Sequence, residues 1–343
     1  MDLSAMPSEL TWTILDSIDD LPSRKTASLV CKAWNHMLFT STKVQRDINL
    51  RIFSRNRGPA ADESMFNELF DCMIASDRNY VNVEFCYVNF EIPVAWDFLM
   101  FLVTVCQSSI RRLKFESCDG LYRRDLLAVL KMTSSLEELG LYKYSWKNVS
   151  LPKLQKLHVE TLGENFVEFI KQTPLTSLEI HDIDLSNTQL KRISRHLPKL
   201  ERLELAYCEN ISDGGLKNLS QMRSLKELRL WCIDVSSEVF KRWKFLPLQK
   251  LLIYFNNEME DPCLDDIAAK MPLLRQAVFY DCYRISLSAV EKLQRRLPRC
   301  EVLEIYRGDG VPRSLLHETH IYFRSADFPR GVLKQECPFS WYD

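Results

Sequence analysis

One pattern governs what this chain can fold into: L-x-x-L-x-L, with other apolar residues standing in for leucine, returns again and again. Clear copies are Leu136-Glu-Glu-Leu139-Gly-Leu141, Leu154-Gln-Lys-Leu157-His-Val159, Leu175-Thr-Ser-Leu178-Glu-Ile180, Leu200-Glu-Arg-Leu203-Glu-Leu205, Leu225-Lys-Glu-Leu228-Arg-Leu230 and Leu248-Gln-Lys-Leu251-Leu-Ile253. Looser copies start at Ile110, Leu274 and Cys300, and a weak one at Tyr80. Ile110 to Cys300 covers 190 residues in eight intervals, a mean of just under 24. A fixed period of that length marks a stacked-repeat architecture. The second and third apolar places of the motif are two residues apart, so they share one face of a strand. A lone unit cannot cover that face, but a stack of parallel copies can.

Other places keep the same period. Eight residues after the first apolar place stands Cys118, Cys208, Asn256 or Cys282, a short side chain able to hydrogen-bond the turning backbone from inside the stack. An apolar residue and a serine follow, as in Leu185-Ser186, Ile211-Ser212, Val235-Ser236 and Ile285-Ser286, where serine suits a helix N-cap. Helical spacing comes next, in Leu190, Ile193, Leu197 and in Val290, Leu293, Leu297. Pro152, Pro174, Pro198, Pro247, Pro272 and Pro298 then close each helix ahead of the next strand. Each unit reads as strand, turn and short helix. Only 18 residues separate Leu136 from Leu154, so the helix there is expected to shrink to a turn.

These units resemble the leucine-rich repeat in its cysteine-containing variety, with Cys208-Glu-Asn-Ile211-Ser212-Asp213-Gly214-Gly215-Leu216 the best single match. The resemblance implies an α/β solenoid over residues 65–306, a curved parallel sheet with helices on its convex side. Residues 54–64, polar with Gly58-Pro59, are expected to form a loop inside a connecting segment, 46–64. The tail, 307–343, ends in Phe339, Trp341 and Tyr342 and is compatible both with folding back on the last repeat and with staying loose until a partner arrives.

The first 45 residues follow another pattern. Pro7 suits the first turn of a helix, and Leu10, Ile14 and Ile18 line one face of it. Ala27, Val30, Cys31 and Trp34 fall at helical spacing further on, yet Trp12, Leu15, Leu29, Met37, Leu38 and Phe39 lie outside both stripes. A segment this short has little interior, and each large apolar side chain left in water forgoes roughly 2 kcal/mol. The surplus calls for a second surface, either the first repeats or another chain. Met6-Pro7-Ser8-Glu9-Leu10, Ile14-Leu15 and Leu29-Val30-Cys31-Lys32-Ala33-Trp34 resemble the F-box, with Met6 in place of the more frequent leucine. The resemblance implies a small all-α F-box domain over residues 1–45. It also implies the substrate receptor of an SCF (cullin-RING) ubiquitin ligase, docked on the S-phase-kinase-associated adaptor protein and through it on cullin and RING subunits. Pro7, Leu10, Ile14, Leu15, Ile18, Leu29, Val30, Cys31 and Trp34 are the residues it carries over to the adaptor interface. A helical cap sealing the end of the solenoid would use the same segment, but needs only one apolar face.

In each unit the third, fifth and seventh places point away from the core. The seventh-place row ends in Trp231, Tyr254, Tyr280 and Tyr306, with Tyr142 earlier in it and Tyr207 and Phe255 one place further along their strands. Adjacent strands lie about 5 Å apart, so these rings form a stripe on the concave wall. Trp and Tyr dominate interface hot spots, which makes the stripe the expected site for a target protein; a ladder that only stiffens the sheet is the alternative. The middle rows mix Arg112, Lys114, Lys156, Arg202, Arg229 and Lys250 with Glu116, Glu138, Glu160, Glu179, Glu204 and Glu227, as expected of strands paired by opposite charges.

Composition closes several other routes. Lys and Arg number 45 against 46 Asp and Glu, which argues against a nucleic-acid partner held by phosphate attraction. Glycine is scarce, 9 of 343, and neither GxGxxG nor GxxxxGK[ST] occurs. No CxxC is present among the 11 cysteines, so a zinc ribbon or RING is missing, and His317-Glu-Thr-His320 supplies two ligands where a zinc site needs more. Gly-x-Ser-x-Gly is absent too. We therefore expect a non-catalytic protein with no cofactor and no metal. The opening Met1-Asp2-Leu3-Ser4 has no basic start, and the longest apolar stretch, Phe98 to Cys106, is too short to cross a bilayer. A cytoplasmic or nuclear location with reduced thiols is the expectation. A leucine-rich scaffold with no part in ubiquitin transfer is the competing reading of the whole chain.

Overall fold

The computed structural model describes residues 8–18, 34, 49–54, 59–74, 80–121, 126–143 and 145–305. Eleven strands form one parallel sheet in chain order: β1 (Asn49–Phe53), β2 (Asn82–Cys86), β3 (Arg112–Glu116), β4 (Glu138–Lys143), β5 (Lys156–Thr161), β6 (Ser177–Ile180), β7 (Arg202–Ala206), β8 (Glu227–Trp231), β9 (Lys250–Tyr254), β10 (Gln276–Tyr280) and β11 (Glu301–Ile305). Helices alternate with them: α1 (Ser8–Asp16), α2 (Pro59–Ile74), α3 (Pro93–Cys106), α4 (Leu126–Met132), α5 (Phe166–Ile170), α6 (Asn187–His196), α7 (Asp213–Leu216) with a 3-10 turn after it, α8 (Ser237–Arg242), α9 (Pro262–Lys270) and α10 (Leu287–Arg296). No helix stands between β4 and β5 among the described residues, as the short interval predicts. This is an α/β leucine-rich-repeat solenoid.

Register follows the repeat. Leu203 pairs with Leu228 and Leu228 with Leu251; Leu205 pairs with Leu230 and Leu230 with Ile253. Both apolar rows are buried in a core they share with Leu190, Ile193, Val239, Ile267 and Leu293 from the helices. Burying one such leucine contributes about 2 kcal/mol, and every unit adds its own set. The turns after the strands are equally regular. Tyr87, Ser117, Tyr207, Cys232, Phe255 and Asp281 all have φ between 49° and 58°, and each stands directly after the seventh place. The left-handed turn is offset by a backbone bond to the next strand, as from Tyr207 N to Trp231 O at 3.0 Å and from Phe255 N to Tyr280 O at 2.8 Å.

The short polar residue inside the turn does what its place predicts. Cys118 Sγ donates to Phe85 O (3.3 Å), and Cys208 Sγ to Ala206 O (3.3 Å). Asn256 does more: its Nδ2 donates to Ile233 O (2.9 Å) and Val235 O (3.2 Å), and its Oδ1 accepts from Glu258 N (3.0 Å) and Met259 N (2.7 Å). Ser186, Ser236 and Ser286 cap their helices, whereas Ser212 accepts from Asn187 Nδ2 at 2.8 Å and leaves α7 uncapped.

The sheet begins earlier than residue 65. β1 lies inside the stretch taken as a connection, pairing Phe53 with Cys86, and α2 starts at Pro59 inside the expected loop. By register the first place of this unit is Asp47, not leucine, so the motif is invisible there although Leu50 and Ile52 alternate correctly. Ser54 Oγ donates to Asp62 Oδ1 at 2.7 Å, tying β1 to the first turns of α2. The far end also differs: Tyr280 pairs with Ile305, so Tyr306 falls one place beyond the row it was expected to join.

Candidate protein-interaction surfaces

The N-terminal helix is two-faced. Thr11 and Leu15 are buried, while Leu10 and Ile14, one turn apart, stay 57% and 47% exposed. Ile18 and Trp34 are half-buried. An exposed aliphatic pair at i, i+4 is a small flank awaiting cover. Pro7, Leu29, Val30 and Cys31, also expected at this interface, lie outside the described residues, as does the tail 307–343.

On the concave wall three zones follow one another. At the N-terminal end, Arg51 Nε lies 3.3 Å from Cys86 Sγ and 3.2 Å from a Glu84 oxygen, and the Cys86 thiol reaches Glu116 Oε2 at 3.4 Å. Burial pushes the Glu116 carboxyl up, and it pushes the Cys86 thiol up to about 12. Glu84, Cys86 and Glu116 offer three ligand atoms within 4.8 Å of one another. A cation would have to expel the Arg51 guanidinium and strip a reluctant thiol, so the donor set suits the arginine better than a metal.

The middle zone is a lattice of ion pairs running across the strands. Glu138 meets Arg112 (3.4 Å) and Lys156 (3.8 Å) from the strands on either side, and Lys114 as well. Burial raises the Glu138 carboxyl, but the three cations outweigh it and hold it below the usual carboxylate range. Arg202 spans Glu179 (3.4 Å), Glu204 (3.4 Å) and Glu227 (3.6 Å). His158 Nδ1 stands 3.3 Å from Glu179, and His158 packs edge-on to His181 at 4.6 Å. Burial also opposes ionisation of Glu179, yet the His158 hydrogen bond and the surrounding cations pull its carboxyl well down. Arg229 is buried, with its Nε 2.5 Å from Glu227 and 3.9 Å from Glu204. The charges balance locally, as expected of opposite charges on neighbouring strands.

The third zone is apolar. Ala206, Trp231, Leu252, Tyr254, Val278 and Tyr280 form a cluster separate from the main core, with Tyr207 and Phe255 packed against it. Trp231 and Tyr254 stack with ring centroids 3.6 Å apart and planes 4° from parallel; Phe255 meets Tyr280 edge-on at 5.3 Å. The aromatic stripe is therefore assembled as its register predicts, but it is not an open surface: Trp231, Tyr254 and Tyr280 are buried, and Tyr207 and Phe255 half-buried. Tyr142 belongs to β4, but its side chain lies outside the described residues, as does Tyr306. Sequence reading passed over Leu252 and Val278, which hold the fifth place where other units carry charge; that break in the row was the available signal. It also missed Arg51 and Phe53, because their unit went unrecognised.

No family model matches the chain. Among solved structures, it is similar to yeast Rad7, crystallised in complex with Elc1: 16% identity over 83% of this chain and 80% of that one, TM-score 0.50. An internalin from Listeria monocytogenes is 12% identical over 89% of this chain and 94% of its own, TM-score 0.40. A Bacteroides fragilis protein is 16% identical over 69% of this chain and 71% of its own, TM-score 0.40. The likeness to Rad7 is one of fold, a leucine-rich-repeat solenoid. Such a wall of parallel strands is a protein-interaction architecture. Among the described residues no helix is long and apolar enough to cross a membrane.

Proposed function

We propose that this protein is the target-recognition subunit of an SCF (cullin-RING) ubiquitin ligase. Its N-terminal helices bind the S-phase-kinase-associated adaptor, and its concave wall holds the protein to be modified. The observation that supports this reading is the exposed Leu10–Ile14 flank on α1, within the residues that resemble an F-box. A cap serving only its own solenoid would turn that flank inward. Rad7, of similar fold, forms a complex with a second protein, Elc1, in keeping with a solenoid that works as one partner of an assembly. The receptor itself carries no chemistry; it raises the effective concentration of target lysines near the ubiquitin carrier. Target contacts are assigned to the concave wall, where Tyr207 and Phe255 are the half-buried aromatic residues of the stripe and Trp231, Tyr254 and Tyr280 support them from beneath, and adaptor contacts to the nine residues named for the F-box.

Gel filtration of the full chain with purified adaptor tests the reading. The wild type should co-elute with the adaptor, and Ile14→Asp should abolish co-elution while leaving the thermal midpoint of the solenoid in place. A wild-type chain that never engages the adaptor refutes the ligase role and leaves the leucine-rich scaffold.

A further inference from the structure

The charges of this solenoid balance in total but not from edge to edge. Lys226 N donates to Glu201 O (2.7 Å), Gln249 N to Lys226 O (2.7 Å), Arg275 N to Gln249 O (2.8 Å) and Glu301 N to Arg275 O (2.8 Å). The loops leading into β7 to β11 therefore stand side by side along one edge of the sheet. Together with the helix ends that feed them, they gather Arg195, Arg223, Arg242, Arg275, Arg295 and Arg299, all exposed. The side chains of these arginines make no hydrogen bond or ion pair with any described residue. The loops hold one acid, Glu201, already taken by Lys226 at 2.7 Å, and Glu301 follows at the start of β11. The opposite edge is acidic, with Asp213, Asp234, Glu238 and Asp261, and its Arg284 is held by Glu258 (3.8 Å) and Glu260 (3.4 Å). Cations at helix ends suit the helix dipole, but that effect fades within the last turn. Arg275 lies five residues past the end of α9, and Arg223 beyond the 3-10 turn that follows α7. Like charges gathered without counter-charges repel one another, and an anionic partner relieves the repulsion.

We infer that this edge binds an acidic polypeptide segment of a partner protein, with its carboxylates on the arginines and its apolar side chains across Phe245 and Leu273. A guanidinium meets a carboxylate through two parallel hydrogen bonds, which suits the arginines to such a segment. Phe245 and Leu273 are 58% and 51% exposed and stand in neighbouring loops, linked by Leu246 N donating to Lys270 O at 3.1 Å. Arg242, Lys244 and Arg275 flank the pair in sequence. The phosphates of a nucleic-acid duplex offer nothing to two apolar side chains. Insertion into a membrane needs apolar side chains that stand clear of the protein. These two keep about half their surface against it, which fits a chain lying flat over them. From β7 to β11 is four strand spacings, roughly 19 Å, which about six extended residues cover. The contact uses neither α1 nor the concave wall, so it goes beyond the ligase reading and does not rest on it.

Fluorescence anisotropy with the full chain tests the contact, using a labelled peptide of four Glu-Asp-Leu repeats in low salt. The peptide should bind, and bind more tightly than polyglutamate of the same length. Arg242→Glu with Arg275→Glu should weaken it by at least about tenfold. Phe245→Ser with Leu273→Ser should weaken it by at least about fivefold. All four side chains are exposed, so the thermal midpoint should hold in both variants. A peptide that does not bind, that binds either variant as it binds the wild type, or that polyglutamate matches overturns the inference. Tighter binding to a DNA duplex or to vesicles of phosphatidylserine and phosphatidylcholine overturns it too, as does self-association of the wild type that the arginine variant abolishes. Adaptor binding through α1 is read separately, so failure here leaves the ligase proposal standing, and the reverse.

Discussion

Arg229 is the place where the energetics of the concave wall can be read most directly. The residue is 1% exposed, with Nε 2.5 Å from Glu227 and 3.9 Å from Glu204, itself 2% exposed. Removing one member of a buried pair leaves the other charge in a poor solvent, at a cost of about 3–5 kcal/mol. Arg229→Leu leaves Glu204 with Arg202 at 3.4 Å, and leaves the Glu227 side chain 17% exposed and near the same Arg202. Both remnants soften the loss, so the low end applies, about 3 kcal/mol. In domains of 150–250 residues each kcal/mol moves the thermal midpoint by about 2–4 °C, and less in a larger one, so a drop of about 5 °C is expected. The double variant Arg229→Leu/Glu204→Leu removes both charges and continues the apolar row of Leu252 and Val278. It should recover most of the loss or exceed the wild type, because the desolvation penalty goes with the charges. Urea and thermal unfolding followed by far-UV circular dichroism measure both. A single variant as stable as the wild type, or a double variant worse than the single, refutes the reasoning.

Three further outcomes follow from the geometry. Asn256→Ala strips four hydrogen bonds from a buried turn and should cost about 3 kcal/mol, while Asn256→Cys, the residue that three other units use, should cost visibly less in the same unfolding assay. Glu138 and Glu116 should respond to pH with opposite signs. Glu138 is lowered by its cations on folding, so its stabilisation is present above the unfolded carboxylate range and lost as pH falls through its folded value; Glu138→Gln therefore destabilises at neutral pH and not in acid. Glu116 is raised by burial, so its ionisation opposes folding, the penalty grows as pH rises past the unfolded value, and Glu116→Gln stabilises at neutral pH. Unfolding curves across pH 3–7 check both signs, roughly bracketing the ordinary carboxylate range. On α1, Leu15→Ala should cost about 2–5 kcal/mol, whereas Leu10→Ala, on the exposed flank, should stay within about 0.5 kcal/mol in the isolated chain.

Much of the fold is legible because it is written many times over. Leu203, Leu228 and Leu251 hold the same place in three units, and their burial in one row needs only the period and the pleat. The turn residues Cys118, Cys208 and Asn256 were equally readable, since a backbone that turns at a fixed place needs a short donor there. The first unit escaped because its strand keeps the alternation of Leu50 and Ile52 but has Asp47 where a leucine marks the others. The stacking of Trp231 on Tyr254 follows from their shared place in the register, while the plane-to-plane fit does not.

The sequence alone determines the repeat, the parallel order of the strands and which residues face the helices, because periodicity and chain connectivity are local properties that stacking merely copies. Tertiary structure alone decides which outward-facing residues meet water. Glu84 and Glu204 occupy the same place in their units, yet one is a third exposed and the other buried. Glu204 is packed among His181, Arg202 and Arg229, whereas Glu84 meets a half-exposed Arg51, and no repeat period encodes which side chains surround a given place.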